Sequence, residues 1–300
     1  MRRIALINEK GGTCKTTLAV NIAAYFARRK GLKVLLLDLD TQGHAGKSLG
    51  VDVRSISPNV FHFLVDESVR LEDVIQPTGL SNLSLIPSYK NMCEFPTALA
   101  SDPRRFHRLL DRLSAAEILD FDLIIFDAPP SMGLTTFNIL LAATEVVVPV
   151  ALTYLALDGC AEIVETVRRV VEEHGRSELR ISLVVPTLYR KTALAEEILD
   201  KLKSYFPETL AKTPLAFNVK LDEAQSHGKT IWEYAPSSRG ARMVAAISEE
   251  LWARAPSAAG IEPPAAGMTG AAKIEPPAAE MPGAAQIEPP AAEMPEVASG

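Results

Sequence analysis

Short apolar runs without polar alternation, such as VLLL at 34–37 and LIIF at 123–126, constrain this chain more than any other feature. A strand with one face in water alternates apolar and polar residues, whereas a strand covered on both faces reads as continuously apolar. Runs of this kind occur at 3–8, 33–38, 83–87, 123–127, 145–150, 180–185 and about 213–216. Helical patterns at 15–29, 106–119, 157–173, 193–205 and 239–253 fall between them. That succession predicts an α/β fold: a doubly wound, mostly parallel sheet with helices on both faces.

Composition narrows the class. Of 300 residues, 47% are hydrophobic and 23% charged, the profile of an ordinary globular body. The net charge of −6 is uneven: residues 256–300 carry six Glu and one Lys, so they hold −5 of it. Residues 1–255 then hold 30 cations against 31 anions, net −1, which excludes a polycation whose whole surface attracts phosphate. Any nucleic-acid contact must use a patch. Three scattered cysteines, Cys14, Cys93 and Cys160, form no metal-ligand spacing and fit a reducing cytoplasm. The start MRRIALINEK lacks a signal-peptide core, and the longest apolar stretch, 146–157, contains Pro149 and is too short to span a bilayer, so no stable membrane insertion is expected.

The domain division predicted is one α/β domain at 1–255 and a disordered tail at 256–300. The tail holds 9 of the 21 prolines and no aromatic residue, and Ile261, Ile274 and Ile287 each open a copy of a 13-residue repeat. Units of Ala, Pro and Gly bury too little to offset the entropy of ordering.

After the first strand comes N-E-K-G-G-T-C-K-T-T at 8–17, then an amphipathic helix. A glycine loop between a strand and a helix presents backbone N–H groups and a helix N-terminus to phosphates, with Lys15 on the β- and γ-phosphates and the Thr16 hydroxyl on Mg²⁺. The ordinary pattern G-x-x-x-x-G-K-[ST] is not met, because Glu9 and Cys14 stand where its glycines belong. What remains is K-G-G-x-x-K-T with an extra lysine, Lys10. Asp38, Asp40 and Asp127 lie at the C-terminal ends of expected strands, where open α/β sheets bind ligands.

In this loop the chain resembles the ParA/MinD family of deviant Walker A ATPases. The resemblance continues through LLLDLDTQGHA at 35–45, similar to the family's first switch, and IIFDAPPS at 124–131, similar to its Walker B segment and second switch. It extends to VVPVALTYLALDG at 147–159 and FNVKLDEAQSHGKTIWEYAPSSRGA at 217–241. It implies an ATPase with ATP and Mg²⁺ as cofactors. Lys10, Gly11, Gly12, Thr13, Cys14, Lys15, Thr16 and Thr17 would bind ATP, and Thr187 and Asn218 would lie by the adenine. Thr16, Asp38 and Asp127 would hold the metal. Lys10, Lys15 and Asp40 would be catalytic, Asp40 by orienting the attacking water and Lys10 by reaching across a dimer to the partner's phosphates.

The same resemblance implies an ATP-dependent homodimer that binds double-stranded DNA without sequence preference, is nucleoid-associated, and is stimulated by a ParB-like protein or cargo adaptor. Lys191 and Lys220 align with basic residues that serve DNA in such proteins, and Arg239 and Arg242, which open the last helix, are expected to join them. A MinD-like membrane-cycling ATPase is the alternative, but it would want an amphipathic C-terminal helix where this chain has acidic repeats. A nucleotide-locked scaffold is a further one. Cys14 costs about 1–2 kcal/mol if its position needs a positive φ, and its thiol is either silent or a redox handle.

Overall fold

In the computed structural model, residues 1–115, 120–153 and 156–254 are described. The tail at 256–300 and the last four positions of the helix expected at 106–119 lie outside the described residues, as do Tyr154 and Leu155 of the 147–159 block.

Eight strands form one sheet: β1 (Arg2–Leu6), β2 (Val34–Asp38), β3 (Gln76–Pro77), β4 (Leu83–Ile86), β5 (Leu123–Asp127), β6 (Glu145–Ala151), β7 (Arg180–Tyr189) and β8 (Leu215–Ala216). Their spatial order is β3-β4-β2-β5-β1-β6-β7-β8, and every pairing is parallel except β3 with β4. The seven expected strands are therefore present, with ends shifted by a few residues. The eighth, β3, is two residues at the sheet edge and contains Pro77, which leaves no periodicity to find.

Continuous apolar strands feed two cores. Ala5, Leu35, Leu37, Ile124, Phe126, Val146 and Val148 point to one face. Ile4, Leu6, Val34, Leu36, Leu123, Ile125 and Val147 point to the other. The helices Lys15–Tyr25 and Arg239–Ala253 cover the second face. The helices Arg108–Ala115, Leu134–Ala142, Ala156–His174 and Ala193–Tyr205 cover the first. Leu134–Ala142 was invisible to periodicity because it is apolar nearly all round and mostly buried. The helix expected at 15–29 instead gives way at Phe26–Lys30 to a π-helical turn that closes on Gly31 at φ 68°.

At the N-terminal edge of the sheet, Glu145 is fully buried between two arginines. Its carboxylate accepts from Arg2 at 2.6 and 2.8 Å and from Arg180 at 3.2 Å. Arg2 also donates to the Leu251 carbonyl at 2.9 Å and Arg180 to that of Arg254 at 2.5 Å, so the cluster ties the last helix to β1, β6 and β7. Glu145→Ala leaves two guanidinium groups without their anion and should cost about 3 kcal/mol in urea unfolding, toward the low end for a broken buried pair because both arginines keep some solvent.

Candidate functional site

The strand order puts β1 between β5 and β6, so the chain leaves β1 for β2 on one side and later fills the other side with β6. A crevice results at the C-terminal strand ends. The loop 8–14 leaves the C-terminal end of β1 at this point. Asn8 anchors the loop: its side-chain amide donates to the Pro149 carbonyl at 2.6 Å and its Oδ1 accepts the Lys10 N–H at 2.9 Å. Gly12 sits at φ 73°. Cys14 caps the helix Lys15–Tyr25 at φ 66° and ψ 25°, the left-handed conformation that disfavours a side chain. The condition attached to Cys14 is thus met. Burial pushes its thiol up to about 11, with the nearby Asp222 adding to the shift, so thiolate is scarce near neutrality and the silent reading of this cysteine fits.

Lys15 is buried, and its ammonium donates to the Lys10 carbonyl at 3.0 Å. Burial lowers its pKa, while Asp127 and Asp40 oppose the shift. Thr187 closes the loop from behind: its buried hydroxyl donates to the Thr13 carbonyl at 3.2 Å. Lys10 runs beside Gly159, where an added Cβ would stand 3.3 Å from its Cε. Glu9, whose Oε1 is buried without a partner, is raised to about 7 by burial and by Glu162.

Parallel pairing sets Asp38 directly opposite Asp127. Both are fully buried, yet their situations differ. Asp38 accepts backbone N–H groups of Asp40 at 3.1 Å and Ala45 at 3.0 Å, which shapes the loop carrying Asp40. Gly43 in that loop sits at φ 61°, where a Cβ would be 2.6 Å from the Ser88 carbonyl oxygen. Among the described residues neither oxygen of Asp127 has a partner in full hydrogen-bond geometry, although the Thr16 hydroxyl stands close enough to favour its ionised form. Burial raises Asp127 to about 7 and Asp40 adds to it, while the Thr16 hydroxyl and Lys15 oppose. Burial and the Asp127 charge likewise raise Asp38. A buried carboxylate without partners is costly, and a cation beside Thr16 would offset that cost. No group of three His, Cys, Asp or Glu able to hold a metal occurs among the described residues. Such a cation would share its shell with phosphates, as Mg²⁺ does.

Asp40 is half-buried and accepts the Gln42 N–H at 3.1 Å. Asn218 caps the helix Val219–Ser226 by accepting the Lys220 N–H at 3.1 Å. Two residues that motif reading passed over tie this segment to the loop helix. The Gln225 amide donates to the Thr17 hydroxyl at 3.0 Å, and Asn21 accepts the Ile231 N–H at 2.8 Å. Their only signal was position inside or near a quoted block.

Lys191, Lys220, Arg239 and Arg242 are all exposed. The Lys220 ammonium is bound to Glu223 at 2.7 Å, so a phosphate would have to compete for it. Arg242 donates to the Ser237 carbonyl at 2.8 Å. Among the described residues no helix is long and apolar enough to cross a membrane.

A family described as AAA domain matches residues 1–181. The sporulation initiation inhibitor protein Soj of Bacillus subtilis is 38% identical over 249 residues, covering 83% of this chain and 97% of that protein. The chromosome-partitioning ATPase Soj of Thermus thermophilus is 39% identical over 255 residues, 85% of this chain and 96% of that one. Among solved structures, cobyrinic acid a,c-diamide synthase of Mycobacterium smegmatis with a bound ATP analogue and magnesium superposes with a TM-score of 0.74 at 26% identity, covering 89% of this chain and all of that one.

The buried Asp127 makes a pH prediction. A carboxyl raised in the folded state favours folding fully below its unfolded pKa, near 4, and loses that contribution as pH rises through about 7. Metal-free protein should therefore lose thermal stability between pH 5 and pH 8, and Asp127→Asn should flatten that decline while raising the midpoint at pH 8. Melting curves in chelator at both pH values check it.

Proposed function

The chain belongs to the ParA/MinD family of partitioning ATPases, and from that premise we propose how its residues carry the cycle. ATP and Mg²⁺ occupy the loop at 10–17, ATP closes two copies of the chain on each other, and the dimer binds double-stranded DNA without sequence preference. A ParB-like protein or cargo adaptor then stimulates hydrolysis. The observation that carries the nucleotide reading is the orphaned, buried Asp127 carboxylate beside Thr16 and Lys15.

Backbone N–H groups of Gly11 to Thr17 face the phosphates from the loop and the helix N-terminus. Lys15 exchanges the Lys10 carbonyl for phosphate oxygens. The Thr16 hydroxyl and Asp127 hold the metal, and Asp38 acts chiefly by fixing the loop that presents Asp40. Mg²⁺, when bound, neutralises charge on the β- and γ-phosphates. Asp40 orients the attacking water, a positioning task that needs no strong base. Lys10, half-buried beside Gly159, reaches the partner's phosphates. Thr187 and Asn218 border the adenine, Thr187 through the loop backbone it supports. Lys191, Lys220, Arg239 and Arg242 supply phosphate contacts, and the protein acts on the nucleoid in the cytoplasm.

Separate tasks predict separable variants. Lys15→Ala should lose ATP binding in calorimetry. Asp40→Ala should bind ATP and accumulate dimer in light scattering while phosphate release falls at least tenfold. An Asp40→Ala protein that hydrolyses ATP at the wild-type rate would remove Asp40 from the reaction.

A further inference from the structure

Three large apolar side chains stand exposed on the segments that follow the paired ends of β7 and β8: Leu194 at 41%, Phe217 at 45% and Val219 at 54%. The Phe217 N–H donates to the Tyr189 carbonyl at 3.4 Å, which joins the end of β8 to the end of β7. The Arg190 guanidinium lies 4.9 Å over the Phe217 ring. Leu194 is in the first turn of the helix Ala193–Tyr205, and Val219 is the first residue of the helix Val219–Ser226. Cations border the same segments. Lys191 follows Arg190, Lys220 follows Val219, and Arg239 adjoins because Gly240 packs on Asn218, where a Cβ would be 2.8 Å from Oδ1. Two of the acids close by are engaged, Glu196 accepting from the Tyr189 hydroxyl at 2.5 Å and Glu223 from Lys220 and Tyr234 at 2.7 and 2.9 Å, while Asp222 is exposed.

We propose that Phe217, with Val219 and Leu194, is an apolar contact surface for double-stranded DNA inside this cationic border, so that part of the affinity does not depend on salt. The inference rests on the DNA-binding reading above and adds a contact that counterion release cannot supply. DNA offers deoxyribose faces and base edges between its phosphates, and contacts to sugars carry no sequence information. The Arg190 stack holds the Phe217 ring in place before binding, which limits the ordering cost. A lipid surface fits less well. The helices Ala193–Tyr205 and Val219–Ser226 turn Ala195, Ile198, Leu202, Leu221 and Ala224 to the core, so neither presents an outward apolar face to lie in a bilayer interface.

The test is anisotropy of a labelled mixed-sequence duplex with ATP and Mg²⁺ across a KCl series, for the wild type, Phe217→Ala, Phe217→Leu and Lys191→Ala. Phe217→Ala should weaken binding about three- to tenfold at every salt concentration, leaving the slope of log affinity against log salt unchanged. Phe217→Leu should recover most of the loss. Lys191→Ala should instead reduce the slope by about 0.9 for each Lys191 of the dimer that contacts a phosphate, up to about 1.8. Wild-type affinity for Phe217→Ala overturns the proposal, as does a loss that appears only as a changed slope. Loss of the ATP-dependent dimer in light scattering also overturns it, by making this surface a contact between copies. Binding of anionic phospholipid vesicles that Phe217→Ala abolishes while DNA binding persists overturns it in favour of a membrane. A wild type that binds no duplex with ATP refutes the DNA reading itself, whereas wild-type binding with a silent Phe217→Ala refutes the apolar contact alone.

Discussion

Insertion of β5 between β1 and β2 in parallel register is the constraint on which the site depends. It places the last residue of β5, Asp127, opposite the last residue of β2, Asp38, and both end up fully buried beside the loop that β1 feeds. Two carboxyls in that position repel each other, and only one of them is satisfied by backbone N–H groups. The fold therefore holds a buried carboxyl that ionises only reluctantly, next to the buried Lys15 and the Thr16 hydroxyl, which offset its charge only in part. Cost in the ligand-free state becomes affinity for a cation, a common arrangement at functional sites.

Strain is stored a few ångströms along the same loop. Cys14 takes a left-handed conformation that a glycine would take freely, and the buried Thr187 hydroxyl, bonded to the neighbouring Thr13 carbonyl, helps hold it there. The backbone N–H groups keep their directions regardless of the side chain, so the departure from the ordinary phosphate-loop pattern alters stability more than it alters the phosphate cradle. Gln225 and Asn21 extend the support to the C-terminal third, so the elements that carry Asn218 and Lys220 are mechanically joined to the helix that carries Thr16.

Much of this was legible in the sequence because the central strands are buried on both faces and the helices that cover them are long enough to repeat. Runs such as LIIF announced β5, and its terminal Asp marked a ligand position before any geometry. Short elements escaped for the opposite reason. The two residues of β3 and the helix Val219–Ser226, defined by its Asn218 cap, are set by local hydrogen bonds and tertiary packing rather than by period. The different fates of Asp38 and Asp127 were also hidden, since identical residues at identical strand ends differ only in which N–H groups the following loop turns back. Side-chain tethers such as Gln225 to Thr17 span 208 residues, beyond the reach of any local pattern.

Asp127 is the hinge between fold and chemistry, and proton linkage tests that role most directly. Calorimetric titration with ATP at pH 6.5, with and without Mg²⁺ and in two buffers of different ionisation enthalpy, reads the protons exchanged on binding. A carboxyl raised to about 7 is largely protonated there and must ionise to hold the cation, so binding of preformed Mg²⁺–ATP should release protons to the buffer, and Asp127→Asn should reduce that release. Equal affinity with and without Mg²⁺, with no buffer dependence, would contradict it.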